Sequence, residues 1–245
     1  ETFYSHTQKN SGNHLRMSGY GKPPRQLWFT LNRKETLDPQ TRIKFLFGHI
    51  IEELVLLMVK ESGHTVTHEQ SVVSYEGIRG SMDCIIDGVV YDIKGLSSFG
   101  MDKFRYNKIF NNDTFNYLPQ IKGYHHEALE KGWTDTTEMG FLALDKIGGE
   151  LYNFIMDEME GPDIKSLSET AHEVAKMDSP PEEKCYEPKE HDNGNKELSS
   201  ECGWCPFKEE CWKDANNGEG LRKFKYARNK RYFVHIEKEP RVDEE

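Results

Sequence analysis

Residues 81–95, SMDCIIDGVVYDIKG, constrain this chain more than any other stretch. Two apolar runs meet at Asp87-Gly88, the pair preferred in a two-residue type I′ hairpin turn. A turn that short fixes the pairing on both sides of it. Ile86 then faces Val89, Ile85 faces Val90, Cys84 faces Tyr91, and Asp83 faces Asp92. Side chains alternate across a strand, so Lys94, two residues beyond Asp92, projects to the same face as both aspartates. Met82, Cys84, Ile86, Val89 and Ile93 take the opposite, core-facing side. Like charges directly opposed across a ladder destabilise it. A divalent cation between them reverses that cost, and carboxylate oxygens are the ligands Mg²⁺ favours. The same residues also read as a solvent-facing polar stripe on an edge hairpin, because Asp-x-Lys alone is common.

The elements around this hairpin predict a mixed fold. Residues 39–62 read as a helix, with Asp38 able to cap it and Pro39 at the first helical position. Ile43, Phe47, Ile50, Ile51, Leu54, Val55 and Met58 give it a wide apolar face, and Gly63 stops it. Glu52 and His49 interrupt this apolar run, and Gly48 stands one turn before Glu52, leaving room for a ligand or strand to approach. Glu52 is a candidate third acid, whereas Glu53 is expected to face water; the helix alone equally reads as amphipathic, with both glutamates snorkelling from it. Strands follow at about 65–75, 78–87 and 89–95, then residues 96–117 without a decisive signal. A helix is expected from Pro119 to Lys131, with Gly132 as its stop. A hairpin at 138–146 and 150–157 and a helix at 161–177 complete the series. The order predicts an α/β, mixed α+β domain with a small cysteine-rich appendage. The expected segments are 1–38, basic and aromatic; 39–178, the core; and 179–245, the cysteine cluster and basic tail.

Of the 245 residues, 36% are hydrophobic and 30% charged, as in a soluble globular protein. No apolar run approaches the roughly 20 residues of a membrane helix, so no membrane partner is expected. The opening ETFYSHTQKN has no apolar signal region, which predicts a cytoplasmic protein. A net charge of −10 argues weakly against a nucleic-acid partner, but local patches decide. Residues 221–232 carry six basic residues, three aromatics and no acids. Residues 16–34 add Arg16, Lys22, Arg25, Arg33 and Lys34 beside Trp28 and Phe29. Basic residues interleaved with aromatics suit contact with a nucleic-acid backbone and its bases. Arg79 is a further phosphate-contact candidate.

Cysteines stand at 84, 185, 202, 205 and 211. An odd count without a secretory signal points to a reducing compartment and a metal site. Cys202-x-x-Cys205-x5-Cys211, with Cys185 seventeen positions before Cys202, reads as a four-thiolate site of structural role. Zinc and [4Fe–4S] both accept four thiolates, and spacing does not separate them.

Gly48-x-x-x-Glu52, Arg79-Gly80-x-x-Asp83, Asp92-x-Lys94 and Gln120-x-x-x-Tyr124, in that order, resemble the PD-(D/E)XK nucleases of the RecB-like branch. That branch includes CRISPR-associated exonucleases and many phage exonucleases, and the agreement covers about residues 40–157. The resemblance implies a restriction-endonuclease-like core, a central mixed sheet flanked by helices. It implies a metal-dependent deoxyribonuclease, an exonuclease acting on single strands or duplex ends. Glu52, Asp83, Asp92 and the backbone carbonyl of Ile93 would hold Mg²⁺ or Mn²⁺, and Lys94 would assist the attacking water. Gln120 and Tyr124, with Arg79 and Arg25, would hold the DNA. Many members carry a histidine four residues after the helix glycine; here that position is Glu52, and His49 is a lesser candidate. Cys-x-x-Cys-Pro-aromatic followed by a further cysteine resembles the iron–sulfur members of the branch. Their first ligand precedes an arginine and an aromatic residue near the N-terminus. Here GKPPRQLWF has Pro23 or Pro24 in that place, and Cys185 is the natural replacement. The resemblance favours a [4Fe–4S] cluster at Cys185, Cys202, Cys205 and Cys211, with Zn²⁺ as the alternative. A different class of function would be a catalytically weak nucleic-acid-binding module with a structural four-cysteine site. A zinc-ribbon interaction protein would explain the tail but not the hairpin.

Overall fold

A computed structural model describes residues 14–33, 39–227 and 229–245. Asp38 and Lys34, named above, and Arg228 of the basic run 221–232 lie outside the described residues. The described chain falls into two compact units, one of residues 14–22 and 39–176, the other of residues 23–33 and 177–245. The expected N-terminal segment is thus divided at Lys22, and helix α1 (Pro24–Asn32) belongs with the C-terminal residues. GKPPRQLWF reads as a turn in sequence, yet Pro24 opens a helix there, because proline suits the first helical position. Leu27, Trp28 and Leu31 then form its buried stripe.

The larger unit is a mixed α+β structure with a central mixed sheet flanked by helices. Helix α2 (Pro39–Glu61) leads to β1 (Val66–Thr67), β2 (Ser71–Tyr75), β3 (Ile78–Met82), β4 (Cys84–Ile86) and β5 (Val89–Leu96). Helix α3 (Ser98–Arg105), helix α4 (Tyr117–Glu130), β6 (Glu138–Asp145), β7 (Leu151–Asp157) and helix α5 (Ile164–Ala175) follow. The sheet order is β1-β4-β5-β6-β7, with β5 and β6 parallel and the other pairs antiparallel. Strands β2 and β3 form a separate two-stranded sheet.

The Asp87-Gly88 turn sets the expected register: Ile86 pairs with Val89, Ile85 with Val90, and Cys84 with Tyr91. Both turn residues have positive φ, as a type I′ turn requires. The core on this side joins Ile51, Val55, Leu56 and Val59 of α2 to Cys84, Ile86, Tyr91 and Ile93. The apolar face of α2 is only partly used, however. Ile43, Phe47, Ile50 and Leu54 are exposed by 45–55%. Periodicity marks which residues share a helix face but does not tell which turns meet the sheet.

The two long strands expected at 65–75 and 78–87 are each interrupted. One breaks where His68 and Gln70 adopt positive φ, the other at Asp83. The first interruption hands the chain from the five-stranded sheet to the β2–β3 hairpin, and the second hands it back.

The smaller unit has more regular structure than the loop-rich tail its sequence suggests. Strands β8 (Lys189–Glu190), β9 (Lys196–Glu197), β10 (Arg222–Lys225) and β11 (Lys230–His235) form an antiparallel sheet. Short helices α6 (Ser200–Trp204) and α7 (Lys208–Cys211) carry cysteines. Leu198, Cys202, Trp212, Ala215 and Val234 make its core. Among the described residues no helix is long and apolar enough to cross a membrane.

Candidate active site

Asp92 lies in the middle of β5 and is 1% exposed. An isolated charge buried this deeply is strongly disfavoured. Lys94, two residues on along the same strand face, forms an ion pair with Asp92 Oδ2. Asp92 Oδ1 has no hydrogen-bond partner. Burial pushes the Asp92 carboxyl above its usual range, and Lys94 only partly offsets this. For Lys94, burial favours the neutral amine, but Asp92 and Asp83 outweigh it and hold the ammonium more firmly charged than usual.

Asp83 approaches Asp92 by a different route from the one expected. The ladder ends at Cys84–Tyr91, one pair short of an Asp83–Asp92 pair. Because the strand breaks at Asp83, its side chain turns to accept a hydrogen bond from the Ile93 backbone N–H at 2.8 Å. Its own carbonyl accepts from Gln70 N–H at 2.9 Å. Burial raises the Asp83 pKa well above the usual value, and the negative charge of Asp92 raises it further.

Glu52 completes the group from helix α2. Its carboxylate accepts a hydrogen bond from the Gln70 side chain, and its Oε2 is 4.0 Å from His49 Nδ1. Burial raises its pKa, with Asp92 contributing in the same direction. Three carboxylates thus interact electrostatically around one lysine. Among the described residues, no group of three or more His, Cys, Asp or Glu side chains is arranged as it stands to hold a metal ion, the cysteines included. The chemistry of the three carboxylates still fits a hard divalent cation: all the donors are oxygens, and one buried carboxylate oxygen has no partner.

Gln120 and Tyr124 belong to this group as well. They lie one turn apart on α4, and Gln120 Nε2 donates to the Tyr124 hydroxyl at 2.6 Å. Burial raises the Tyr124 pKa, as does the charge of Asp92. Gly80 explains why the ring fits: a Cβ there would lie 2.4 Å from Tyr124 Cε1 and 2.9 Å from the Met17 sulfur. Gly80→Ala is therefore expected to destabilise the protein by about 1–3 kcal/mol through overpacking. Urea unfolding of the two proteins measures this. Beside Gly80, Arg79 is exposed, and its backbone bridges to that of Arg16, also exposed.

Two neighbours escaped the sequence reading. Tyr117 faces Lys94, whose Nζ lies 5.0 Å from its ring centroid. Its signal was present, since Tyr117, Gln120 and Tyr124 stand at i, i+3 and i+7 on one helical face. Gln70, the partner of Glu52, sits in a strand interruption that carries no periodic signal.

Arg25 is in the smaller unit. Its Nε donates to the Cys211 sulfur at 3.1 Å and its Nη1 to the Pro181 carbonyl. This guanidinium is held within the cysteine group. Cys185, Cys202, Cys205 and Cys211 line one cavity with Gln26 and Phe29 of α1, and all four are free thiols. Burial pushes the Cys185 thiol up to about 11 and also raises Cys202 and Cys205. Three of the basic residues in 221–232 pair with acids that follow the run. Arg222 pairs with Glu239 and Glu244, and Lys223 and Lys230 both pair with Glu245.

No protein-family model matches this chain. No curated protein matches it either. Solved structures show a limited likeness. A protein named SSO0001 is 16% identical with a TM-score of 0.45, covering 84% of this chain and 89% of its own. An alkaline exonuclease from Laribacter hongkongensis is 13% identical with a TM-score of 0.41, covering 71% of this chain and 88% of its own. Its complex with dAMP gives 13% and 0.41 again, over 67% and 86%. At these values the function rests on the geometry of the site itself.

Proposed function

We propose that this protein is a metal-dependent deoxyribonuclease, an exonuclease that hydrolyses phosphodiester bonds at single strands or duplex ends. The observation that supports it is the buried Asp92, with one partnerless oxygen, held beside Lys94, Asp83 and Glu52. A purely structural ion pair has no use for two further desolvated carboxylates. Glu52, Asp83, Asp92 and the Ile93 carbonyl would hold Mg²⁺ or Mn²⁺. Such an ion polarises the scissile phosphate and lowers the pKa of a bound water. Lys94 orients the attacking water and offsets charge on the phosphate, with Asp92 holding its ammonium in place. Gln120 and Tyr124 position the strand, and the exposed Arg79 contacts its backbone.

In the same reading the four cysteines hold a [4Fe–4S] cluster, or Zn²⁺, whose role is structural. Arg25 then serves that group by donating to the Cys211 sulfur. A brown preparation with broad visible absorption supports the cluster; a colourless anaerobic one containing zinc selects the alternative.

The decisive assay incubates 5′- and 3′-end-labelled single- and double-stranded oligonucleotides with Mg²⁺, Mn²⁺ or EDTA. Cleavage with either metal and none in EDTA is the expected result. Binding without cleavage under every condition identifies a nucleic-acid-binding module instead.

A further inference from the structure

Three aromatic rings lead from the core to the surface beside the lysine of the candidate site. Phe104 is 1% exposed. Tyr117 stacks on it with centroids 6.4 Å apart and planes at 25°. Phe115 stacks on Tyr117 in turn, at 5.7 Å and 28°. Phe115 is 60% exposed. An exposed phenylalanine is ordinary by itself. Phe99 and Tyr106 of the same segment are exposed too. Phe115 differs from them because it stacks on the ring that faces Lys94.

The loop that carries Phe115 is held firmly. Asn116 adopts a left-handed conformation, φ +58°, between Phe115 and Tyr117. Asp113 accepts hydrogen bonds from the Tyr117 and Leu118 backbone N–H groups at 2.9 and 2.8 Å, satisfying the start of α4. Lys103 donates to both Asn112 and Thr114. The backbone that presents the ring is thus tied down before any ligand arrives, which lowers the ordering cost of binding.

We infer that Phe115 is a stacking platform for an unpaired nucleobase of the strand whose phosphate is presented to Lys94 and the carboxylates. This rests on the reading of that site as a nuclease. Every base offers a π face, so aromatic stacking grips a strand without choosing its sequence. Phe115 is a positioning residue: it touches the base and leaves the chemistry to the acids and the lysine.

The test compares wild type, Phe115→Ala and Phe115→Tyr. Each acts on an end-labelled single-stranded oligonucleotide and on the same strand with abasic residues at its terminal nucleotides. Cleavage in Mg²⁺ gives kcat and KM, and fluorescence anisotropy in Ca²⁺ gives Kd. Phe115→Ala is expected to raise KM and Kd for the normal strand roughly tenfold, in line with the loss of one stacked base, while kcat stays within about twofold. Phe115→Tyr should behave as wild type. Wild type should lose the same factor on the abasic strand, and Phe115→Ala should bind both strands alike. Unchanged KM and Kd in Phe115→Ala would overturn the inference. So would undiminished discrimination against the abasic strand by that variant. If wild type does not cleave, the nuclease reading fails, and the anisotropy arm still decides whether Phe115 stacks a base.

Discussion

Lys94→Ala is expected to abolish DNA cleavage, lowering kcat by at least about 100-fold, the scale at which one preorganised charge stabilises a transition state. Asp92→Ala should do the same, because it removes both the central ligand and the group that holds the ammonium. The two changes act on an ion pair whose acid is buried and whose lysine is partly so, with side-chain exposures of 2% for Asp92 and 18% for Lys94. Breaking such a pair leaves a buried charge, and the cost is typically about 3–5 kcal/mol. Asp92, its pKa already raised by burial, is expected to relieve part of this by taking up a proton in the Lys94→Ala protein. Stability and activity are therefore separable. The double variant Asp92→Asn, Lys94→Ala removes both charges and should recover stability while cleavage stays absent. Circular dichroism melts alongside end-labelled cleavage assays check both statements. A well-folded Lys94→Ala protein that cuts DNA at the wild-type rate would show that the proposed mechanism is wrong.

The second large effect is expected from the cysteines. Cys205→Ser should reduce the bound iron or zinc and lower the unfolding midpoint of the smaller unit. A loss of about 2 kcal/mol in a unit of this size corresponds to roughly 10 °C. The physical reason is that Cys202 and Cys211 lie on two very short helices, Ser200–Trp204 and Lys208–Cys211, and Cys205 directly follows the first. Helices of one turn gain almost nothing from their own hydrogen bonds. Ligand bonds to a metal would supply the folding free energy they lack. Metal analysis together with calorimetry tests this. Full metal content and an unchanged midpoint in Cys205→Ser would exclude Cys205 as a ligand. Cys84→Ser is the contrasting case: that thiol is packed in the core of the other unit and should leave metal content unchanged.

The features legible in the sequence were those fixed by short-range rules. The Asp87-Gly88 turn gave the register of Cys84, Ile85 and Ile86 against Tyr91, Val90 and Val89. Gly63 and Gly132 marked where two helices end, and both adopt the left-handed conformation that favours glycine. What escaped depends on distant residues. The break at Asp83 lies opposite the interruption at His68 and Gln70, which no alternation of apolar residues reveals. That break also changed how Asp83 reaches the site, by a hydrogen bond to the Ile93 backbone instead of a ladder pair. Residues 96–117 gave no clear period because they hold a short helix, a single 3₁₀ turn and a loop tied by side chains. Arg25 could not be placed from sequence either, since its partner Cys211 is 186 positions away.

The parallel pairing of β5 with β6 has a consequence for how the site forms. Val90 pairs with Met139, so the chain must travel through α3 and α4 before this ladder can close. Hairpin contacts close small loops, whereas this pairing closes a large one and costs more chain entropy. Folding rates fall as such non-local contacts grow in number. The hairpin that carries Asp92 and Lys94 closes across a two-residue turn, whereas Tyr117, Gln120 and Tyr124 reach the same charges across a much longer stretch of chain. The entropy cost of building the site therefore falls on its aromatic and amide members more than on its acid–lysine pair.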